Sequence, residues 1–175
     1  GFVVCCYDYE HIFIWHANVR AHLRRRFPAL PLGLVSHPQF FGQFPDDRAV
    51  LARGGGLDVA GDESRLAHFI APLRAAGARV SMFISHDPRQ IEASAAIGAA
   101  VVELHTGLYS DLHAEGREAE AEAELQALIQ GAGLAHSLGL EVHAGHGLTY
   151  ENVAPIAAIP QVMELNIGHF LIGEA

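Results

Sequence analysis

The chain has no unbroken apolar run of the roughly 18 or more residues that a membrane-spanning helix requires, so no membrane partner is expected. It also has no basic stretch leading into a hydrophobic one, the mark of a secretion signal, and the expected location is cytoplasmic. Basic side chains are scarce: 11 Lys and Arg face 20 Asp and Glu, for a formal charge of -9. Such a surface releases few counterions from nucleic acid or anionic lipid, which argues against either as a general partner. A small phosphorylated ligand stays open, because it needs only one or two local basic groups. Cysteine is limited to Cys5 and Cys6. Adjacent residues of a strand point to opposite faces, a poor geometry for a disulfide, so both read as buried thiols in a reducing compartment.

What is abundant is apolar surface. Half of the 175 residues are hydrophobic and only 18% are charged, which excludes a disordered or collagen-like chain. The length suits one domain, yet a complete eight-unit barrel takes about 250 residues and rarely fewer than about 200. The chain opens on Gly and stops without a closing helix, and it is expected to be a fragment of a longer fold.

Residues 55–175 alternate short apolar runs with longer amphipathic ones, the rhythm of β-α-β units around a parallel sheet. Strands are predicted over 80–84, 100–106, 140–144 and 163–167. Asp62 is expected to cap a helix that ends at Gly77, and Asp87-Pro88 to start one that ends at Gly98. Residues 114–138 read as a single helix stopped by Gly139, with Glu115, Glu118, Glu120, Glu122 and Glu124 on a solvated face. Residues 1–54 differ in character. A buried strand is expected over 1–6, a basic helix over 18–27 and a further strand over 30–35. Residues 36–47 show no clear period.

One pattern recurs at the strand ends. Glu103-Leu-His105-Thr-Gly107, Glu141-Val-His143-Ala-Gly145 and Glu164-Leu-Asn166-Ile-Gly168 share the form E-[LV]-[HN]-x-G. Strand period two puts the acid and the His or Asn on one face and the aliphatic residue on the other. If the strands form a barrel, three successive units aim polar groups into one mouth, where barrel enzymes place their chemistry. Buried Glu and His without partners would cost several kcal/mol, so they must bond to each other, to water or to a ligand. Glu141 and Glu164, nearer the floor, suit a register-fixing role. Glu103, His105 and His143 suit a functional one.

Two glycine-rich loops extend the pattern. Gly145-His146-Gly147-Leu-Thr149 and Gly168-His169 follow successive strands, where free N–H groups and absent side chains favour phosphate. His146, flanked by glycines, has no local apolar partner and reads as an acid/base near neutral pH. His143-x-x-His146 with Glu103, His105 and His169 also has the donor types for zinc or iron. With 12 histidines in the chain, chance clustering weighs against that reading, and no metal is expected.

Together, Gly55-Gly-Leu-Asp-Val-Ala-Gly61, Arg79-Val-Ser-Met-Phe-Ile84, Val102-Glu-Leu-His-Thr-Gly107, Glu141-Val-His-Ala-Gly-His-Gly-Leu-Thr-Tyr150 and Glu164-Leu-Asn-Ile-Gly-His169 resemble the pyridoxine 5′-phosphate synthase family. The resemblance implies an α/β TIM barrel in a homo-oligomer, without metal or organic cofactor. Its implied reaction condenses 1-deoxy-D-xylulose 5-phosphate with 3-amino-2-oxopropyl phosphate, giving pyridoxine 5′-phosphate with release of inorganic phosphate and water. Carried over by position, it implies that His146 is a catalytic acid/base and that Glu103 stabilises charge during ring closure. Gly147 would contact substrate, Gly168 and His169 would bind phosphate, and His11 would keep the place of a substrate-binding His. His105, His143 and Asn166 are supporting candidates from the repeated motif.

The resemblance is strong over 55–175 and breaks down over 1–54. The family's first strand and about its fourth are missing, along with the C-terminal helix. Cys5-Cys6-Tyr7 stands where the second strand normally ends in His-Leu-Arg, and Val35 or Ser36 where the third ends in a catalytic Glu. Weak or absent turnover is therefore expected. Two other readings stay open: a non-catalytic barrel that binds phosphorylated ligands, and a metal-dependent barrel lyase or isomerase.

Overall fold

The computed structural model of the chain describes residues 55–167 and the backbone of 3–6. Five strands form one parallel sheet: β1 (Val3–Cys6), β2 (Arg79–Ile84), β3 (Val101–His105), β4 (Glu141–Gly145) and β5 (Val162–Asn166). Their spatial order is their chain order. The four strands predicted from residue 80 onward each lie within one residue of expectation at either end. The expected strand at 1–6 is seen over Val3–Cys6, while the helix at 18–27 and the strand at 30–35 lie outside the described residues.

Helices α1 (Glu63–Ala75), α2 (Pro88–Ala96), α3 (Gly107–Ala114), α4 (Glu118–Ser137) and α5 (Val153–Ala157) fill the connections from residue 63 onward. Alternation along the strands decides where they pack. Val80, Met82 and Ile84 of β2, Val102 and Leu104 of β3, and Val142 and Ala144 of β4 share one face and are buried there. They form a single core with Ile70 of α1, Ile91 of α2, Leu128 and Ala132 of α4 and Ile156 of α5. Full burial of each large aliphatic side chain contributes about 1.5–3 kcal/mol. With consecutive strands adjacent and right-handed crossovers the general rule, the described helices pack into one core on the same side of the sheet. Among the described residues the strand order never reverses, so they form no switch-point crevice of the doubly wound kind.

Local signals explain most boundaries. Asp87 accepts the backbone N–H of Arg89 at 2.9 Å, with Pro88 in the first helical position, as expected. Asp62 occupies the cap position of α1, but its carboxylate takes the Arg65 guanidinium instead of a helix N–H. The helix expected over 114–138 starts late, at Glu118, and α3, which precedes it, was not expected. α3 ends in a turn closed by Arg117 N–H on the Leu112 carbonyl at 2.9 Å, with Gly116 at φ 70°. That left-handed position suits glycine and begins α4 on a new axis. Glu115, Glu118, Glu120 and Glu122 are exposed as expected, whereas Glu124 turns inward to His86 at 3.2 Å. Among the described residues no helix is long and apolar enough to cross a membrane.

Candidate active site

The strand face opposite the helices is polar, and its register sorts it into rows. Ser81, Val101 and Glu141 lie side by side in the first row. Phe83, Glu103, His143 and Glu164 make the second, and His105, Gly145 and Asn166 the third, at the C-terminal ends of the strands. The acid and the His or Asn of each repeated motif thus share a face. Leu104 and Val142 point into the core, with Leu165 packed against it.

The lower rows are tied together by charge. Arg79 donates to Glu141 at 2.7 and 3.4 Å, reaching across β3. Glu141 Oε1 lies 2.9 Å from His143 Nε2, and His143 Nδ1 lies 3.9 Å from Glu164 Oε1. The Arg79 guanidinium, and then His143, hold the Glu141 carboxyl below the usual range. This chain of contacts links β2, β4 and β5 through Glu141 and Glu164. His143 belongs to the same ladder. It is 1% exposed and directed at two carboxylates, so the His143-x-x-His146 spacing does not bring its two rings to one ligand. Among the described residues no three His, Cys, Asp or Glu side chains gather as a metal site would require.

The upper row lies at the C-terminal ends of the strands. His146 follows β4 directly, is exposed, and has φ 86°, the only non-glycine with positive φ among the described residues. Such a backbone costs about 1–3 kcal/mol and persists only where its surroundings enforce it. Here the enforcement is visible. The Thr106 hydroxyl lies 2.8 Å from the Gly145 carbonyl and 2.6 Å from that of His146, and the Thr106 N–H also donates to Gly145 at 2.8 Å. The Ser110 hydroxyl reaches the His146 carbonyl at 3.4 Å. Farther along the loop, Asn152 donates to the Gly147 carbonyl at 3.2 Å and accepts from Thr149 N–H at 2.8 Å. Tyr109 fixes Asn152 in turn, donating to its carbonyl at 2.9 Å.

Glu103 is buried beneath this loop, with 1% exposure. Its carboxylate occupies the space that a side chain at position 145 would fill, which explains a glycine inside β4. Asn166 stands beside Gly145, and its buried amide nitrogen has no acceptor among the described residues. His105 stacks on His146 with ring centroids 4.6 Å apart and planes 23° from parallel. Phe83 leans against both imidazoles. Burial, and then the His146 charge, push the His105 imidazole down to about 4.

Of the residues singled out in the sequence, Glu103, His105, His146, Gly147 and Asn166 come together at the mouth, and His143 sits one row below. His11, Gly168 and His169 lie outside the described residues. Thr106, Ser110, Asn152 and Phe83 escaped notice in the sequence. Thr106 did carry a signal: it is the one polar residue at the variable position of a motif whose other copies have Ala144 and Ile167 there.

The family described as pyridoxal phosphate biosynthesis protein PdxJ matches residues 24–175. The pyridoxine 5′-phosphate synthase of Cereibacter sphaeroides is 74% identical over 131 residues, covering 75% of this chain and 52% of the relative. That of Ruegeria pomeroyi is 64% identical over 131 residues, covering 75% and 53%. That of Caulobacter vibrioides is 55% identical over 144 residues, covering 82% and 57%. The chain thus spans about half the length of the curated relatives it matches. The family match covers most of the chain, including the whole arc from β2 to β5, and the chain belongs to the PdxJ family of pyridoxal phosphate biosynthesis proteins.

Proposed function

We propose that this chain carries the acid/base and phosphate-side portion of a pyridoxine 5′-phosphate synthase site, in a single (β/α)-barrel domain spanning 1–175. The observation that carries this reading is His146, exposed and held at φ 86° between glycines, the first of which, Gly145, abuts the buried Glu103 carboxylate. Sequential parallel strands with all helices on one side are the arc of a TIM barrel, whose chemistry sits at the C-terminal strand ends. Small phosphorylated substrates, a homo-oligomer and a cytoplasmic setting follow from the same reading.

In this scheme the amine of 3-amino-2-oxopropyl phosphate condenses with the ketone of 1-deoxy-D-xylulose 5-phosphate, and water leaves. The chain has no lysine, so it offers no side-chain amine for an imine, and the substrate supplies the nitrogen. His146 moves protons in the later eliminations and ring closure, the general acid/base work that imidazole side chains most often perform. Glu103, under the loop, stabilises the positive charge that develops as the ring forms. Gly147, Gly168 and His169 take the phosphate side, and His11 and Asn166 contact substrate. Cys5 and Val35 replace the family's expected His and Glu, so turnover by this chain is slow or absent.

The test is formation of pyridoxine 5′-phosphate from the two substrates by the purified chain, with and without chelator. A slow, chelator-insensitive rate that disappears in His146→Ala is the expected result. A complete lack of product, with neither substrate raising the melting temperature, would overturn the synthase reading. A rate equal to that of a full-length relative would overturn the claim that the N-terminal departures weaken turnover.

A further inference from the structure

The surroundings of His105 specify both its charge and its orientation. The Gly107 backbone N–H donates to His105 Nδ1 at 3.1 Å. A nitrogen that accepts a hydrogen bond carries no proton, so the ring is the neutral tautomer with its hydrogen on Nε2. On one side Phe83 lies 5.0 Å away at 50°. Gly55 closes another edge so tightly that a Cβ there would come within 2.7 Å of Cε1 and Nε2. A Cβ on Gly107 would strike both this ring and that of His146. The remaining face carries the His146 imidazole, stacked at 4.6 Å. Ring N–H groups lie in the ring plane, so a stacked pair cannot pass a proton directly from one ring to the other.

We propose that His105 is a positioning residue for His146, a neutral platform that sets the plane of the acid/base imidazole at the mouth. The backbone of His146 is tied down through its carbonyl by Thr106 and Ser110, but those bonds leave rotation about its side-chain torsions open. Stacking on a ring that is itself boxed in removes that freedom. A neutral partner also matters: a cation at this position would repel His146 whenever His146 holds a proton. The low affinity of His105 for protons agrees with this assignment. A phenyl ring would serve as platform, whereas an aliphatic stub would not.

The proposal takes His146 as the acid/base of the synthase reading, so its test has one arm that does not depend on turnover. Histidine-ring NMR of the full chain is compared for wild type, His105→Phe and His105→Ala. Ring-current-shifted His146 C–H signals are expected in wild type and His105→Phe and lost in His105→Ala. In the kinetic arm, kcat of His105→Ala falls by about tenfold to a hundredfold. KM stays within about twofold, and His105→Phe recovers most of kcat. Unchanged His146 signals in His105→Ala would overturn the proposal. So would a His105→Phe variant with restored stacking and unrestored kcat, which would make the ring nitrogens the working atoms. An inactive wild type whose melting temperature neither substrate raises, with the expected NMR pattern, would sink the synthase reading and leave the positioning role standing.

Discussion

The Thr106 hydroxyl sits between two carbonyls, 2.8 Å from that of Gly145 and 2.6 Å from that of His146, and so joins the end of β3 to the loop after β4. Thr106 is fully buried. Its replacement by valine keeps the shape and removes the donor, leaving the Gly145 carbonyl to the Thr106 N–H and the His146 carbonyl to the Ser110 hydroxyl at 3.4 Å. Thr106→Val is expected to lower unfolding free energy by about 0.5–1.5 kcal/mol, and Thr106→Ser to recover most of that loss. Urea denaturation of the three proteins checks it, and equal stability of all three would show that the bond contributes nothing.

Gly145 is expected to tolerate no side chain. A Cβ there would collide with the Glu103 carboxylate and lie 2.8 Å from the Asn166 carbonyl. Gly145→Ala should destabilise by about 1–3 kcal/mol through overpacking. Because part of the collision is with Glu103, the double variant with Glu103→Ala should lose less than the sum of the single losses. Thermal melts of the four proteins in that cycle measure the coupling; strict additivity would disprove the contact.

The Arg79–Glu141 pair gives a dependence on acidity with a defined sign. Glu141 has its carboxyl lowered from 4.5 in the folded chain, first by Arg79 and then by His143. A lowered folded value contributes stability above the unfolded value, and that contribution is lost as pH falls through the folded one. Wild type should therefore melt above Glu141→Gln at neutral pH, with the difference closing below 4.5. The pair is about a third exposed, so solvent screening keeps the gap under about 1 kcal/mol. A gap that widens in acid would refute the assignment.

His86 and Glu124 should behave in the opposite sense. The carboxylate of Glu124, bonded to the ring, raises the affinity of His86 for a proton above its ordinary value of 6.5. A raised folded value contributes stability below the unfolded value, and that contribution disappears as pH rises through the folded one. Glu124→Gln is therefore expected to melt below wild type in mild acid and to converge with it in mild alkali. Melting curves across that range provide the check, and a constant offset would assign the loss to packing.

How far these relationships could be read in the sequence depended on the range of the forces behind them. Strand and helix positions follow from apolar period and from glycines at helix ends, which are local, and so β2 to β5 were legible to within a residue. The late start of α4 turned on Gly116, where an alanine- and glutamate-rich run kept its helical composition straight through a left-handed turn, and α3 and the short α5 were not foreseen. Asp62 failed as a cap because a nearby guanidinium outcompeted a backbone N–H, a contest that composition does not show. At the site, the shared face of Glu103 and His105 was implied by strand period. The stacking of His105 on His146 was not, since it depends on β3 and β4 lying in register. The loop anchors Ser110 and Asn152 were hidden for the same reason: their hydroxyl and amide look like ordinary surface chemistry until the loop they hold lies against them.

The sequential strand order has a kinetic corollary. In the β2–β3 register Ser81 meets Val101, in β3–β4 Val101 meets Glu141, and in β4–β5 Val142 meets Val162, so these pairings close loops of 20, 40 and 20 residues. Val3, by contrast, meets Arg79 across 76 residues. Closing that span costs about 1 kcal/mol more chain entropy than closing 20. The arc from β2 to β5 can therefore assemble first, from low-contact-order units, and β1 dock late onto an edge already formed. Folding speed should then respond to substitutions in the Arg79–Asn166 arc, while substitutions in β1 act mainly on the rate of unfolding.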